Sequence, residues 1–145
     1  MTDHAAIIIR NKDNEILFIQ RSMKKSTLPG AWSFPSGTVE ENEHVHTTAV
    51  RESKEELDIE VESECTLSTM DLPEFSVRLH FVLCNIKTEE NNPEYNLPSI
   101  TEPDEIDQIE WMNFQDFFNK FPDDKIGHGL VWLRQNQNVL SDLIN

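Results

Sequence analysis

The chain has 145 residues, and its 12 basic against 27 acidic side chains leave a formal charge of −15 at pH 7. That balance repels nucleic-acid backbones and anionic membranes over a Debye length, which argues against polymeric DNA or RNA as a partner. With 37% hydrophobic residues and a mean hydropathy of −0.52, no apolar run approaches the roughly 20 residues of a membrane helix, and the length suits one domain, 1–145, with a single core.

A small phosphorylated substrate is compatible with the acidity, because divalent cations bridge carboxylates to phosphate oxygens. Met1-Thr2-Asp3-His4 carries neither the basic start nor the apolar segment of a secretory signal, so a cytoplasmic location is expected. Ala5 to Arg10 and Glu15 to Arg21 are apolar runs separated by Asn11-Lys12-Asp13-Asn14, which predicts a β-hairpin. Leu28 to Gly37, with Pro29, Gly30 and Pro35, reads as a structured loop containing a short extended piece.

From about Glu43 to Leu57 there are good helix formers, no Gly and no Pro, and a stripe at Val45, Ala49, Ser53 and Leu57 spaced by four. Ile59 to Met70 and Val77 to Ile86 read as strands, and Lys87 to Thr101 as an exposed, mobile polar loop. Ile106 to Met112 predicts a further strand and Asn113 to Phe121 a short helix. A terminal helix is expected over His128 to Leu143, with Leu130, Leu133, Val139, Leu140 and Leu143 available for packing. Mixed strands with two or three helices imply a layered α/β domain. Cys65 and Cys84 are two packed, reduced thiols with no partners at metal spacing.

The chemistry concentrates on the first helix. Glu52, Glu55 and Glu56 are three and four positions apart, so their carboxylates share one face and repel one another unless a cation neutralises them. Hard carboxylate oxygens suit magnesium, with manganese as a substitute. Arg51, beside Glu52 and four positions before Glu55, is placed to orient a carboxylate through charge-assisted hydrogen bonds. Three glutamates at this spacing are by themselves more often a solvated acidic face; Gly37, Glu43 and Arg51 at fixed offsets, preceded by Trp32, Phe34 and Pro35, shift the balance toward catalysis. His44 and His46, two apart at the helix start, are expected to face different ways at the surface.

The stretch Gly37 to Ile59 resembles the Nudix box, in which a Gly, a Glu and an Arg-Glu-hydrophobic-any-Glu-Glu-any-Gly-hydrophobic run recur at these offsets. Looser resemblance extends through Ile16 to Arg21 and from Glu102-Pro103 to Trp111. It implies a Nudix fold, an α/β/α sandwich with a mixed β-sheet in which the box forms a loop, helix and loop. Glu52, Glu55 and Glu56 match the metal-binding glutamates, Glu43 and Arg51 brace them, and the Ser36 carbonyl completes the shell. Glu105 resembles the further acidic residue that MutT-type members bring from a mobile loop, Arg21 a substrate-contacting position, and Gly37 belongs to the substrate loop. The family also includes homodimers.

Three positions depart from the pattern. Ser36 stands where many members have a second glycine, Ser53 replaces a buried hydrophobe, and Asp58 replaces the glycine after the helix, where a positive φ is commonly required. The Ser53 hydroxyl can return to the carbonyl four residues earlier. The reaction the resemblance implies is attack of water on phosphorus, with Glu55, Glu56 or Glu105 as the base. A small nucleotide is the expected substrate. A MutT-like nucleoside triphosphate pyrophosphatase leads. ADP-ribose or another nucleotide sugar, a dinucleoside polyphosphate, or a non-catalytic binding module are the alternatives. The asparagine that reads oxidised guanine in MutT has no clear match in Phe121-Pro122-Asp123-Asp124-Lys125. Trp32, Phe34, Phe75, Phe81 and Trp111 are the aromatic residues available to stack on a base.

Overall fold

In the computed structural model, which describes residues 1–144, the central strand β1 (Thr2–Arg10) is buried from Ala5 to Ile9. Successive strand side chains point to opposite faces. Ala5, Ile7 and Ile9 therefore join one apolar layer, and Ala6 and Ile8 the other. A strand covered on both sides has to be apolar throughout, which is why this run does not alternate.

Around β1 lie β2 (Ile16–Arg21), β3 (Trp32–Ser33), β4 (Ser36–Thr38), β5 (Val61–Leu72), β6 (Val77–Ile86) and β7 (Ile106–Met112). The order is β3-β2-β1-β6-β5, with β4 on β1 and β7 on β2. β1 and β6 run parallel while the other pairs are antiparallel, so the sheet is mixed. The expected hairpin closes only at its tip, where Arg10 faces Ile16. Beyond that point β1 takes β4 and β6 as neighbours and β2 takes β3 and β7, pairings between distant segments that no local turn signal reports.

One face is covered by α1 (Val45–Leu57), through Ala49 and Leu57. The other carries α2 (Phe114–Lys120), α3 (His128–Gln135) and α4 (Ser141–Ile144), through Phe114, Phe117, Leu130, Leu133 and Leu143. This is the α/β/α sandwich. The terminal helix is not continuous: Asn136 leaves the helical region at φ −131° and its side-chain amide donates to the Trp132 carbonyl at 2.8 Å. Asn competes in this way with backbone hydrogen bonds, and a 3₁₀ turn, Gln137–Leu140, separates α3 from α4. No described helix is long and apolar enough to cross a membrane.

The stretch 87–101 is exposed over residues 87–94, but its second half is not the free loop expected. Asn96, at φ 62°, accepts the Glu60 N–H and donates to the carbonyls of Glu60 and Lys87, all within 2.9 Å. Ser99 and Thr101 then bond the end of α1. Polar composition predicts exposure well but cannot see these side-chain anchors.

Candidate active site

β4 lies antiparallel to β1, with Gly37 opposite Ala5, and delivers the chain to the start of α1. The turn before the helix closes with the Glu43 N–H on the Glu40 carbonyl at 2.9 Å. His44 is the N-cap, its Nδ1 accepting the His46 N–H at 3.2 Å. The two rings do not diverge as expected: they meet edge-on with centroids 5.2 Å apart, because the N-cap residue is extended and escapes helical geometry.

Arg51 ties the box together. Its Nε and Nη2 donate to the two oxygens of Glu43 at 2.8 and 2.9 Å, and Nη1 donates to Glu52 at 2.8 Å and Glu55 at 3.3 Å. Nη2 also reaches the Thr38 carbonyl at 3.2 Å. A planar guanidinium suits this forked pattern where a lysine would not. Glu43 receives in addition the Thr48 hydroxyl at 2.7 Å and the Glu40 N–H at 3.1 Å. Arg51 and then Thr48 hold its carboxyl far below the usual range, at about 2.

Glu52 is pushed the other way, since burial raises its pKa and Arg51 only partly offsets this. Its carboxylate lies against Gly37 so closely that a Cβ there would sit 2.2 Å from Glu52 Cδ. Gly37 is therefore required for close approach, not for an unusual φ. At the far end of the helix, Asp58 adopts φ 53° and ψ 41° and bonds back to Lys54, and the Ser53 hydroxyl donates to the Ala49 carbonyl at 2.8 Å. Both substitutions in the box are accommodated as their chemistry foretells.

Glu56 differs from the other three. Its Oε2 is buried and has no hydrogen-bond partner among the described residues. Burial first, then the charges of Glu52, Glu102 and Glu105, push its carboxyl up to about 8, against the pull of the Ser36 backbone N–H. Ser36, expected to contribute a carbonyl, thus also turns a donor toward the site. Glu102 is the acid that motif reading left out of the site. Its charge bears on both Glu52 and Glu56, more strongly at Glu56 than that of Glu105. Glu105 forms an ion pair with Lys25. Only the Glu102-Pro103 pair, noted for resemblance, signalled that residue.

Among the described residues no three acidic, His or Cys side chains are already drawn into a cation-holding group. Arg51 occupies oxygens of Glu52 and Glu55. The bare, buried Glu56 oxygen beside further anions nonetheless fits a hard divalent cation, which would remove the cost of an unpaired buried acceptor and of like-charge repulsion.

Arg21 has other partners. It donates three hydrogen bonds to Thr27, at 2.8 to 3.1 Å, and has no acidic side-chain partner among the described residues. It borders a groove of about 420 Å³ shared with His4, Leu28, Leu72, Phe75 and His128, and an adjoining hollow of about 120 Å³ that reaches Phe34 and Ser36. Among the described residues no Asp or Glu lines either cavity. Of the five aromatic candidates, Trp32, Phe34 and Phe81 are core residues. Trp111 packs beside the core near Ile86, while Phe75 is 51% exposed and its ring lies 5.3 Å from that of His128.

Residues 2–131 match the NUDIX domain model. An 8-oxo-dGTP diphosphatase of Proteus vulgaris is 38% identical over 82 residues, covering 54% of this chain and 71% of that protein. Nudix hydrolase 2 of Arabidopsis thaliana is 28% identical over 112 residues, 76% of this chain and 38% of the relative. The chain spans about two-fifths of the length of the curated plant relatives it matches. A MutT NUDIX hydrolase from Burkholderia pseudomallei superposes with a TM-score of 0.66 at 21% identity, covering 99% of this chain and 98% of the other.

Proposed function

Because the chain belongs to the Nudix family, we propose that it is a magnesium-dependent hydrolase of a phosphoanhydride bond in a small nucleotide. A nucleoside triphosphate is the leading substrate, with nucleoside monophosphate and pyrophosphate as products. The observation that carries this reading is Glu56, whose buried oxygen lacks any donor beside the charges of Glu52 and Glu102. Magnesium, or manganese in its place, would be held by Glu52, Glu55, Glu56 and Glu105 with the Ser36 carbonyl, and there it would neutralise phosphate charge and acidify an attacking water.

The chain's own groups divide the remaining work. Arg51 orients Glu52 and is itself fixed by Glu43. Glu55, 54% exposed and touched by Arg51 only at 3.3 Å, is the carboxylate best placed to take the water proton. Glu105 is engaged by Lys25, and Glu56 is the most buried of the candidates. The acid-free groove beside Arg21 suits an anionic, aromatic ligand: Arg21 supplies a fixed positive charge, and the Phe75–His128 pair an exposed ring face for the base. In a chain of net charge −15 a groove lined without acidic side chains spares a nucleotide local repulsion.

The test is a panel of nucleoside triphosphates, including the 8-oxo-dGTP named for the Proteus relative, with nucleotide sugars and dinucleoside polyphosphates, assayed with magnesium and with manganese. Turnover that releases pyrophosphate and stops on chelation is the expected result. Release of sugar phosphate alone would move the substrate to the nucleotide sugars, and tight nucleotide binding without turnover would overturn the enzymatic reading.

A further inference from the structure

The carbonyls at the C-terminus of α1 are closed in two ways. Those of Ser53 and Lys54 receive the N–H groups of Ile59 and Asp58, at 3.4 and 3.0 Å, as in an ordinary left-handed helix stop. Those of Glu55, Glu56 and Leu57 take donors from a remote segment. The Ser99 N–H meets Leu57 at 3.0 Å and the Thr101 N–H meets Glu56 at 3.2 Å. The Thr101 hydroxyl donates to Glu56 at 2.9 Å and is shared with the carbonyl of Glu55.

These carbonyls belong to the peptides carrying two of the candidate carboxylates, and the residue after Thr101 is Glu102, whose charge reaches Glu52 and Glu56. The segment is also held on both sides. Asn96 fastens it to Glu60 and Lys87 upstream, and the Glu102 carbonyl accepts the N–H groups of Glu105 and Ile106, at 2.9 and 3.1 Å, downstream. Like charge on Glu52, Glu56 and Glu102, where it is not neutralised, favours separation of the segment from the helix. The Thr101 and Ser99 hydrogen bonds oppose that separation.

We infer that Thr101 is a positioning residue whose hydroxyl fixes Glu102 against the catalytic helix and so sets the affinity of the carboxylate cluster for a divalent cation. The inference rests on the cation site proposed above. A residue that merely capped the helix would change folding stability and leave the affinity of the folded protein unaltered. A positioning residue changes the affinity itself.

The experiment measures Mn²⁺ binding from the electron paramagnetic resonance signal of the free ion, for the unaltered protein, Thr101→Val and Thr101→Ser, with thermal unfolding of each. Thr101→Val is expected to raise the Mn²⁺ Kd about tenfold, the scale of one lost hydrogen bond. Thr101→Ser, which keeps the hydroxyl, should stay within about twofold. The Mn²⁺ activation constant should follow Kd while nucleotide KM at saturating Mn²⁺ holds steady. If Thr101→Val does not fold, Asn96→Ala loosens the same segment away from the carboxylates, with an expected rise of about threefold. Folded Thr101→Val, or failing it Asn96→Ala, binding Mn²⁺ as the unaltered protein does would overturn the inference alone. Absence of Mn²⁺ binding by the unaltered protein would overturn the proposed function beneath it.

Discussion

Glu43 and Glu56 bracket the same motif, yet their surroundings have opposite consequences. Glu43 receives Arg51 through two bonds, the Thr48 hydroxyl and a backbone N–H, and its carboxyl is driven down to about 2. Glu56 is buried with one oxygen bare and its carboxyl is driven up to about 8. One charge is neutralised by the fold and belongs to its scaffold. The other is left for something outside the chain to neutralise, which in this acidic setting means a proton or a cation.

The contrast is tested most severely at Glu56. Glu56→Gln should lower turnover by on the order of 1000-fold. With the cation chelated it should also stabilise the protein in alkali. The folded pKa of about 8 lies above the unfolded value of 4.5, so the proton retained by the fold carries no penalty below pH 4.5, and stability declines as pH rises toward 8 and is level beyond. The variant lacks this decline. Unfolding free energies from urea titrations at pH 5 and pH 9 should therefore diverge, with the variant ahead at pH 9 by on the order of a few kcal/mol. A variant that tracks the unaltered protein at both pH values would mean that Glu56 carries no buried, uncompensated charge. Because cation and proton compete for this carboxylate, Mg²⁺ affinity measured by titration calorimetry should rise with pH up to about 8 and then level off.

Arg51→Ala attacks the compensated end. Removing the shared guanidinium should cost about 10- to 100-fold in kcat/KM, as loss of a ligand-orienting partner does. It should cost roughly 2 kcal/mol of stability as well, because Glu52, 15% exposed, is left without its donor. Glu43 works in the opposite pH direction from Glu56: its stabilisation is present above the unfolded pKa of 4.5 and is lost as pH falls toward 2. Acid titration of Glu43→Gln by circular dichroism should show a shallower loss of stability over that window.

Gly37→Ala should reduce kcat/KM by about tenfold with the fold retained, since only the flexible Glu52 side chain has to move away from the added methyl. A crystal structure of the variant with Glu52 undisplaced would reject that assignment. The smallest effect is expected at Asp58. Asp58→Ala forces alanine into a left-handed conformation and removes the 2.8 Å ion pair with Lys54, for a loss of about 1 kcal/mol in thermal unfolding. Asp58→Gly should stay within about 0.5 kcal/mol of the unaltered chain.

Much of this site was legible before any fold was known, because helical spacing is a property of neighbours in sequence. Glu52 with Glu55 and Glu56, at intervals of three and four residues, had to share a face, with Arg51 four positions before Glu55, and the left-handed turn at Asp58 and the Ser53 back-bond follow from the same local geometry. The apolar run Ala5–Ile9 likewise declared a strand, and its place under helices on both faces came with the fold. Other features depended on which distant segments meet. Composition called 87–101 mobile and could not show Thr101 and Ser99 closing the end of α1. Spacing placed His44 and His46 apart, although N-cap geometry brings their rings together.

By itself, then, the amino-acid order determined the elements and the clustering of carboxylates on one helical turn, since both arise from interactions a few residues long. Tertiary structure alone decided that Glu56 is stranded, that Glu102 adds its charge to the site, and that an acid-free groove opens beside Arg21. Burial, pKa and cavity shape depend on chain segments dozens of residues apart, and no local pattern encodes the field they create together.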